Sequence, residues 1–348
     1  MTGSAQGAPR SVEELEDRLS EPNEATVAAL RDAPGDVIVL GAGGKMGPTL
    51  ARMAARAARA ADGGHPRKII AVSRFTSSAA ADSLERSGVA IIRCDLLDPG
   101  AVERLPDAPN VVFMAGQKFG TTESPGHTWM MNVAVPALCA HRYSSSRIVA
   151  FSTGNVYPLV PVADGGAAES TEARPIGDYA ASCLVREKVF EFSSAAKRTP
   201  VALMRLNYAI DLRYGVLTDI AQRIANREPI DLTMGYVNVI WQGDANRAAL
   251  QLLPLASSPP LTLNVSGAET LRVQTLATEL GARLGISPEF NGSESPDALL
   301  TDTKRFRSMF GEPEVSASTL LDWVADWVRS ARPLLGKPTH FETRGGAF

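Results

Sequence analysis

The sequence predicts an α/β fold built on a doubly wound parallel sheet, with a smaller mixed α/β lobe beside it. Short runs of β-branched apolar residues recur along the first 206 residues, and segments with helical periodicity separate several of them. Such continuous runs are typical of strands that are buried on both faces, as in parallel sheets. A glycine-rich turn also joins the first run to an alanine-rich helical segment. Together these observations indicate a Rossmann-like fold.

A helical extension is predicted before the first strand. Residues 1–10 are small and polar, and we expect them to be disordered. Ser11, followed three residues later by Glu14, has the pattern of a capping box and opens a short, charged helical pair that ends near Asp36. We therefore treat residues 1–35 as an appendage to the main fold.

The strands of the sheet are predicted in order after this extension. The first covers residues 36–40 and leads through the glycine turn into a helix at 48–61. Further buried strands are predicted at 68–73, 90–94, 110–115, 147–152 and 201–206. A long loop at 158–178, rich in Pro, Gly and Ala, and a helix from about 179 to 195 precede the last of these strands.

Beyond residue 206 the texture of the chain changes. A short strand at 261–265 is mixed with helices at 271–285 and 317–334. The predicted organisation is therefore a helical extension, a sheet domain, a second lobe and a tail, of which residues 339–348 are expected to be loose. The boundaries are 1–35, 36–205, 206–335 and 336–348.

Composition excludes several classes of partner. The formal net charge is −3 and no cluster of Lys and Arg appears, so we expect no nucleic-acid partner. Three widely spaced cysteines and four histidines, without metal-ligand spacing, argue against both disulfides and a metal site. There is no signal-type N-terminus and no apolar stretch of about 18 residues. We expect a cytoplasmic protein that neither spans nor binds a membrane.

The turn after the first strand predicts a cofactor site. Its residues are Gly41, Gly43, Gly44, Lys45, Met46 and Gly47. Glycine lets the backbone bend sharply and approach a pyrophosphate, and the free amides at the N-terminus of the following helix attract the anion. Because the turn follows a buried strand in the first unit of a parallel sheet, we expect the sheet domain to bind a nucleotide cofactor here.

The end of the second strand bears on the choice of dinucleotide. An acid at this point would accept hydrogen bonds from the ribose 2′-hydroxyl of NAD, whereas an arginine accommodates the 2′-phosphate of NADP. The strand ends in Ser73 and Arg74, and Lys45 adds a positive charge in the glycine turn. We therefore expect NADP, with NAD as the alternative, in which case Arg74 is a solvated surface charge.

Further motifs follow the other strands. They are Asp95-Leu96 after the third, Ala115-Gly116-Gln117-Lys118 after the fourth, Ser152-Thr153-Gly-Asn-Val-Tyr157 after the fifth, and Pro175-Ile-Gly-Asp-Tyr179-Ala-Ala-Ser182 before the long helix. Together with the glycine turn, their order and spacing resemble the extended short-chain dehydrogenase/reductase superfamily, the NAD-dependent epimerase/dehydratase group. The resemblance covers roughly residues 36–330.

The resemblance implies a role for each matched residue. It places Gly41, Gly44 and Gly47 at the pyrophosphate, Asp95 and Leu96 at the adenine, Ala115, Gly116 and Lys118 at the nicotinamide-side ribose, and Asn132 on the following helix near the site. Thr153 would bond the reacting oxygen, and Tyr179 would be the acid/base that accompanies hydride transfer. Asp95 could equally be a helix N-cap.

One position departs from the family pattern. The family has a lysine four residues after the tyrosine, one helical turn along the same face, where it lowers the pKa of the phenol; this chain has Cys183. An unperturbed phenol has a pKa of about 10, so only about one part in a thousand is ionised at pH 7. A neutral thiol carries no charge, and a thiolate would raise the pKa of Tyr179.

Three groups could supply the missing positive charge. Lys118, which follows the fourth strand, could supply this charge, or it could merely contact the cofactor. Arg186 shares the helix face of Tyr179 but lies about 10 Å along the axis. The oxidised nicotinamide is itself a cation. Catalysis by Cys183 as a covalent nucleophile is a further role, for which no histidine partner is evident.

Two classes of function follow. The first is an NAD(P)-dependent oxidoreductase or epimerase of carbohydrate metabolism, acting on a sugar or a sugar-acid-like substrate; retention of Thr153 and Tyr179 favours it. The second is a catalytically silent NAD(P)-binding sensor or scaffold. Candidate substrate contacts are Asn155, Asn207, Tyr208, Tyr236 and Trp241, because amides and aromatic rings suit a carbohydrate-like ligand. The resemblance also implies a homodimer formed by the helices around 128–141 and 179–195.

Overall fold

The computed structural model describes residues 7–63, 67–118, 120 and 123–346. A seven-stranded sheet of these residues forms its centre, and all neighbouring strands in it are parallel. The strands are β1 (Val37–Leu40), β2 (Ile69–Ser73), β3 (Ala90–Arg93), β4 (Asn110–Phe113), β5 (Arg147–Thr153), β6 (Val201–Leu206) and β7 (Leu261–Val265). Their spatial order is β7-β6-β5-β4-β1-β2-β3, which confirms the predicted doubly wound sheet.

Helices cover both faces of the sheet. They are α1 (Val12–Leu19), α2 (Glu24–Asp32), α3 (Gly47–Asp62), α4 (Ser78–Arg86), α5 (Pro99–Glu103), α6 (Pro125–Trp129), α7 (Val135–Arg142), α8 (Gly177–Lys197), α9 (Val216–Ala225), α10 (Gln242–Gln251), α11 (Val273–Leu284), α12 (Lys304–Phe310) and α13 (Ala317–Arg329). A π-helical turn, Met130–Ala134, joins α6 to α7. Alternate residues of β1 enter different cores: Val37 and Val39 pack with α3 and α10, whereas Ile38 and Leu40 pack with α7 and α8.

The order of the strands in the sheet determines where a ligand-binding crevice forms. The chain builds outward from β1 through β2 to β3 and then returns to lay β4 on the other side of β1. In an open parallel sheet a crevice forms beyond the carboxyl ends of the strands where this reversal occurs, and ligands bind there. The turn that begins at Gly41 and the loop that contains Ala115 are thereby brought side by side at the ends of β1 and β4.

The N-terminal helices are integral to the fold, which corrects their treatment as an appendage. The predicted N-cap is present, since the Ser11 hydroxyl accepts a hydrogen bond from the Glu14 amide at 3.2 Å, whereas the Glu14 carboxylate accepts the Arg10 amide at 2.8 Å rather than the Ser11 amide of a full capping box. Leu15, Leu19 and Leu30 are fully buried. These helices therefore complete the cores of both the sheet domain and the second lobe. Residues 1–6 of the segment that we expect to be disordered lie outside the described part.

The second lobe is not separate in sequence from the sheet. Its core is formed mainly by α9, α11 and α13 together with α1. The strand at 261–265, predicted to belong to this lobe, instead pairs with β6 as the edge of the main sheet. The chain thus leaves the sheet after Leu206 and returns to it before ending in the second lobe.

Residues 333–346, which we name the C-terminal strap, are packed on the protein rather than loose. Their backbone and side-chain hydrogen bonds include Leu335 N to Arg213 O (3.0 Å), Thr339 N to Asp219 Oδ2 (2.7 Å) and Arg344 Nη1 to Asp297 O (3.0 Å). Phe341 is 3% exposed and belongs to the core of the second lobe. The expectation of a loose tail is therefore wrong for residues 339–346, and residues 347–348 lie outside the description.

Candidate active site

Two adjoining cavities open at the crevice of the sheet. The main cavity has a volume of about 700 Å³ and lies between the glycine turn, the ends of β4 and β5, the second lobe and the strap. The side cavity has a volume of about 290 Å³ and lies between the ends of β1, β2 and β3. Gly41, Gly43, Gly44 and Gly116 line both cavities. A ligand longer than either cavity could therefore run from one to the other across the glycine turn.

Steric contacts explain three of the glycines in the turn. Gly41 has a φ of +90°, and a Cβ there would lie 2.5 Å from the backbone of Ala115. A Cβ on Gly43 would lie 2.5 Å from the Ser73 hydroxyl, and one on Gly47 would lie 2.4 Å from the Ala42 carbonyl oxygen. The N-cap residue of α3 makes no side-chain capping bond. The turn thus presents bare backbone at a helix N-terminus, which fits a pyrophosphate.

Lys45 lies away from the end of β2, contrary to its expected part in binding a 2′-phosphate. Its ammonium donates to the Ala209 carbonyl at 3.1 Å and lies 4.0 Å from the centroid of the Tyr214 ring. Burial lowers the pKa of Lys45 to about 7, partly offset by Asp211. This charge therefore faces the main cavity, next to the second lobe.

The side cavity collects the residues expected at the adenosine end of a cofactor. It is lined by Ser73, Arg74, Asp95, Leu96, Ala115 and Gly116. Arg74 is exposed at the rim. Asp95 accepts the Leu97 amide at 3.0 Å and so caps a turn, whereas the N-cap of α5 is Asp98. The reading of Asp95 as a helix N-cap is therefore wrong.

Asn132 supports the cavity wall without lining either cavity. It lies in the π-helical turn, a feature often found at functional sites. Its side chain accepts the Gln117 amide at 2.9 Å and donates to the Gln117 carbonyl at 3.0 Å and to the Ser182 hydroxyl at 2.9 Å. It also accepts a hydrogen bond from Arg186 at 2.6 Å. Asn132 thereby fixes the loop after β4 against α8.

Thr153 and Tyr179 meet at the wall of the main cavity. Thr153 is the last residue of β5 and is 5% exposed; its hydroxyl accepts the Asn155 amide at 3.2 Å and the Asn155 side chain at 2.9 Å. Tyr179 lies in the first turn of α8. Burial raises the pKa of Tyr179 and the Cys183 thiol adds to the rise, whereas Arg186 and a hydrogen bond with Thr153 lower it. The fold thus brings a hydroxyl and a phenol to the wall of one cavity.

Cys183 does not reach the cavity. It is fully buried in an apolar cluster behind Tyr179, and burial raises its pKa. A thiol in this position is neutral and inaccessible to a substrate. The expectation that Cys183 is a catalytic residue is corrected accordingly.

Lys118 lines the main cavity, where it meets the C-terminal strap. Its ammonium donates to the Thr339 carbonyl at 3.3 Å. Burial lowers the pKa of Lys118 to about 8, and the negative charge of Asp219 acts in the opposite direction. Lys118 is therefore a cation at pH 7 that loses its charge as the pH rises through about 8.

The expected substrate contacts divide into two groups. Asn155, Asn207 and Tyr208 line the main cavity. Tyr236 pairs with Arg272 in a short antiparallel bridge outside the cavity. Trp241 is 2% exposed and packs edge-on against Trp323, with ring centroids 5.4 Å apart. The assignments of Tyr236 and Trp241 are wrong, because in this sequence these aromatic rings serve packing.

The cavity also contains residues that sequence reasoning left out of the site. Glu16 of α1 lines it and accepts Arg213 at 3.2 Å, and Leu335, Lys337 and Thr339 contribute the strap side. No local motif marks these residues, since they come from segments regarded as appendage and tail. Among the residues with described positions, no group of three or more His, Cys, Asp and Glu side chains could hold a metal ion, and no helix could cross a membrane.

The fold is similar to those of solved epimerases. A mutant UDP-glucuronic acid 4-epimerase from Bacillus cereus, in complex with NAD and UDP-4-deoxy-4-fluoro-glucuronic acid, superposes with a TM-score of 0.72 at 16% identity, covering 85% of this chain and 99% of the other. UDP-glucose 4-epimerases from Thermotoga maritima (0.69, 18%) and Thermus thermophilus (0.68, 19%, with NAD) cover the same shares. No family model and no curated protein matches the sequence. At these identities the likeness establishes the fold.

Proposed function

We propose that the protein is a nicotinamide-dinucleotide-dependent oxidoreductase or epimerase acting on a hydroxyl or carbonyl group of a carbohydrate-like substrate. The observation that carries this proposal is that Thr153 and Tyr179 line the same cavity as the glycine turn, with the Thr153 hydroxyl close enough to act on the pKa of the phenol. The similar solved structures are UDP-sugar epimerases, and two of them contain NAD.

The residues present fit such a cofactor. The glycine turn would hold the pyrophosphate at the start of α3, the side cavity the adenosine, and the main cavity the nicotinamide near Gly116 and Lys118. When bound, the nicotinamide supplies a hydride acceptor or donor. A preference for NADP now depends on Ser73 and Arg74 alone, since Lys45 faces elsewhere. Comparing the Kd of NAD and NADP for the protein and for Arg74→Ala tests that preference.

The side chains of the pair have distinct roles in this proposal. Tyr179 exchanges the proton of the substrate oxygen at its phenolic oxygen, while the Thr153 hydroxyl holds that oxygen in place. Asn155, Asn207 and Tyr208 offer amides and a phenol to the remaining hydroxyl groups of the substrate. Substrate chemistry thus needs an ionisable phenol and a filled cofactor site.

The direct test is turnover. The purified protein is mixed with NAD or NADP and a panel of sugars, sugar acids and UDP-sugars, and the absorbance of the reduced nicotinamide and the formation of epimers are followed. We expect turnover that falls by about 10²-fold or more in Tyr179→Phe, with the cofactor Kd unchanged. Equal turnover in Tyr179→Phe would exclude the proposed role of the phenol.

A second candidate is a protein that binds the dinucleotide without turnover, as a sensor or scaffold. One observation favours it: burial raises the pKa of Tyr179, and the residue one turn further along α8 is an uncharged thiol. Tight binding of NAD or NADP, with no reaction across the substrate panel, would replace the enzyme by this alternative.

Self-association through α7 and α8 is proposed on the basis of exposed apolar residues. Phe192 on α8 is 75% exposed, and Met130 at the start of the π-helical turn is 52% exposed. Both side chains lie in the helical segments around 128–141 and 179–195 from which a homodimer is expected, and burial of their apolar surface would favour association. We expect a homodimer in light scattering, and a monomer for Phe192→Glu; Met309→Glu, at an exposed methionine on α12, is the control. A cytoplasmic location remains a prediction from the sequence.

A further inference from the structure

We propose that Arg186 supplies the positive charge that favours ionisation of Tyr179. Its buried guanidinium, two turns further along α8, takes the electrostatic role that the uncharged Cys183 thiol cannot fill. This inference rests on the proposed function, because it assigns a role in the chemistry of Tyr179. It concerns a residue that acts through the phenol, and therefore a positioning and electrostatic role rather than contact with the reacting atoms.

The guanidinium is held in the wall of the main cavity. Arg186 is 6% exposed and lines that cavity. Its Nη2 donates to Asn132 Oδ1 at 2.6 Å, and its Nη1 donates to the Phe151 carbonyl at 3.0 Å. A Cβ on Gly116 would lie 2.5 Å from Nη2. Two fixed hydrogen bonds thus hold the charge beside the loop that follows β4.

This position is close to the reacting pair. Phe151 lies two residues before Thr153 on β5, a separation of about 7 Å along a strand, and Phe151, Thr153 and Tyr179 line the same cavity as Arg186. Long side chains on a helix lean toward its N-terminus, so Arg186 reaches back over the turn that contains Ser182 toward Tyr179. The roughly 10 Å of helical rise between the two residues is therefore shortened by the arginine side chain.

The charge of Arg186 is not neutralised locally. Among the described residues, no carboxylate oxygen lies within the 4.0 Å of an ion pair from its guanidinium; its partners are an amide and a carbonyl oxygen. Arg205, by contrast, is buried against Glu187 with an Nη2–Oε2 distance of 2.6 Å. Burying a charge without a counter-ion is costly. A phenolate forming in the same low-dielectric cavity would offset that cost.

Other charged or titratable groups near Tyr179 do not fill this role. On its own helix, Cys183 acts to raise the pKa of the phenol, and Glu187 is bound to Arg205. Lys118, after β4, acts on Cys183, and Asp219 of α9 faces Lys118. Arg186 acts to lower the pKa of Tyr179, against the larger rise that burial causes. The position of the guanidinium and the sign of its effect on the phenol therefore agree.

The test measures ionisation of Tyr179 directly. The protein is labelled with tyrosine carrying ¹³C at the ring carbon that bears the hydroxyl, and the Tyr179 resonance is identified by its loss in Tyr179→Phe. Its titration midpoint is measured in the presence of saturating NAD. We expect Arg186→Gln, which can still donate hydrogen bonds but has no charge, to raise the midpoint by about one to three pH units. Arg186→Lys should restore part of the shift, and Lys118→Met should cause none of comparable size.

The outcomes separate this inference from the proposed function. An unchanged Tyr179 midpoint in folded Arg186→Gln overturns the role of Arg186 even if the protein turns over sugars. A protein without any turnover would contradict the proposed function, whereas the titration midpoint of Tyr179 would still test the role of Arg186. If Arg186→Gln does not fold, a second neutral variant, Arg186→Met, decides in the same way: an unchanged Tyr179 midpoint in folded Arg186→Met contradicts the inference, because this variant also lacks the charge. With turnover present, the acid limb of the pH–rate profile should move with the midpoint.

Discussion

At the scale of single residues, the glycine turn contains one position where a side chain is sterically excluded and another that instead lines the cavities. A Cβ on Gly47 would collide with the backbone of Ala42, whereas a Cβ on Gly44 would lie no closer than 3.6 Å, to the Gly41 carbonyl oxygen. Gly47 lies outside the cavity linings and Gly44 lies in both. The two positions should therefore respond differently to the same added methyl group.

We expect Gly47→Ala to lower the free energy of unfolding by about 1–3 kcal/mol, because backbone must shift to relieve the contact. Gly44→Ala should leave stability nearly unchanged and weaken dinucleotide binding, because the methyl group enters the cradle. Urea unfolding and the Kd of NAD or NADP measure the two effects. Equal losses of stability in both variants would contradict this separation.

Lys45 predicts a pH dependence of cofactor binding. Burial lowers its pKa to about 7 in the protein without ligand, and a pyrophosphate in the neighbouring turn would raise it again. Below pH 7 the ammonium is already formed; above pH 7 binding must take up a proton. The Kd should therefore increase between pH 7 and 8, by up to about tenfold per unit.

The measurement is a set of cofactor titrations from pH 6 to 8. Lys45→Met should remove the dependence, and Lys304→Met, at an exposed lysine of α12 that lines neither cavity, is the matched control that should retain it. An affinity that is independent of pH in the unmodified protein would show that Lys45 does not sense the cofactor.

The residues of the site were predictable to different degrees. Thr153 and Tyr179 could be found because a strand end and a helix start bring their motifs to one edge of the sheet. Tyr236 and Trp241 could not be separated from cavity residues, because an aromatic side chain has the same identity in a core and in a binding site. The distinction depends on which neighbours the fold supplies, such as Trp323.

At the scale of elements, a buried ion pair ties α8 to the sheet. Glu187 is fully buried and accepts two hydrogen bonds from Arg205 of β6, at 2.9 and 2.6 Å. Arg205 also donates to the Tyr157 hydroxyl at 2.7 Å. The pair lies one residue beyond Arg186 on α8, and it therefore helps to fix the helix that carries Tyr179.

Breaking this pair should be more damaging than replacing it. We expect Arg205→Met to lower the free energy of unfolding by about 3–5 kcal/mol, because it leaves the Glu187 carboxylate in the interior without a counter-ion and with only the Ser152 hydroxyl as a donor. The double variant Arg205→Met with Glu187→Leu should recover much of the loss. A single-variant cost below about 1 kcal/mol, as for a surface pair, would contradict the buried character of the interaction. Chemical denaturation measures both variants.

Helices and strands were predicted well where the local sequence pattern alone determines the secondary structure. The apolar runs marked β1, β2, β4, β5 and β6 because strands buried on both faces have no polar alternation. The strand predicted at 90–94 is also present, but as the sheet edge β3 it is half-buried or exposed rather than buried. The strand at 261–265 was recognised but assigned to the wrong lobe, since a strand sequence does not show which partner it will pair with. The π-helical turn at Met130–Ala134 left no signal, because one extra residue in a helix hardly alters its periodicity.

At the scale of the whole molecule, the C-terminal strap closes one side of the main cavity and buries Phe341 in the second lobe. We expect deletion of residues 335–348 to lower the free energy of unfolding by about 2–3 kcal/mol through loss of the Phe341 contact. Phe341→Ala within the full chain is the matched variant for that contact. Deletion without any loss of stability in urea unfolding would show that the strap adds nothing to the fold.

Both segments that the sequence presents as dispensable thus belong to the fold. The helical extension and the tail contain no motif, and their burial follows from surfaces that other elements leave uncovered. Sequence pattern identifies elements that organise a core, whereas it does not identify segments that are recruited to an existing surface.

Glu16 and Thr339 lie far apart in the sequence, yet both line the main cavity. A ligand in this cavity would hold the two segments in place together. Amide hydrogens near Glu16 and near Thr339 should consequently slow their exchange with solvent in parallel when the cavity fills, although hundreds of residues separate them.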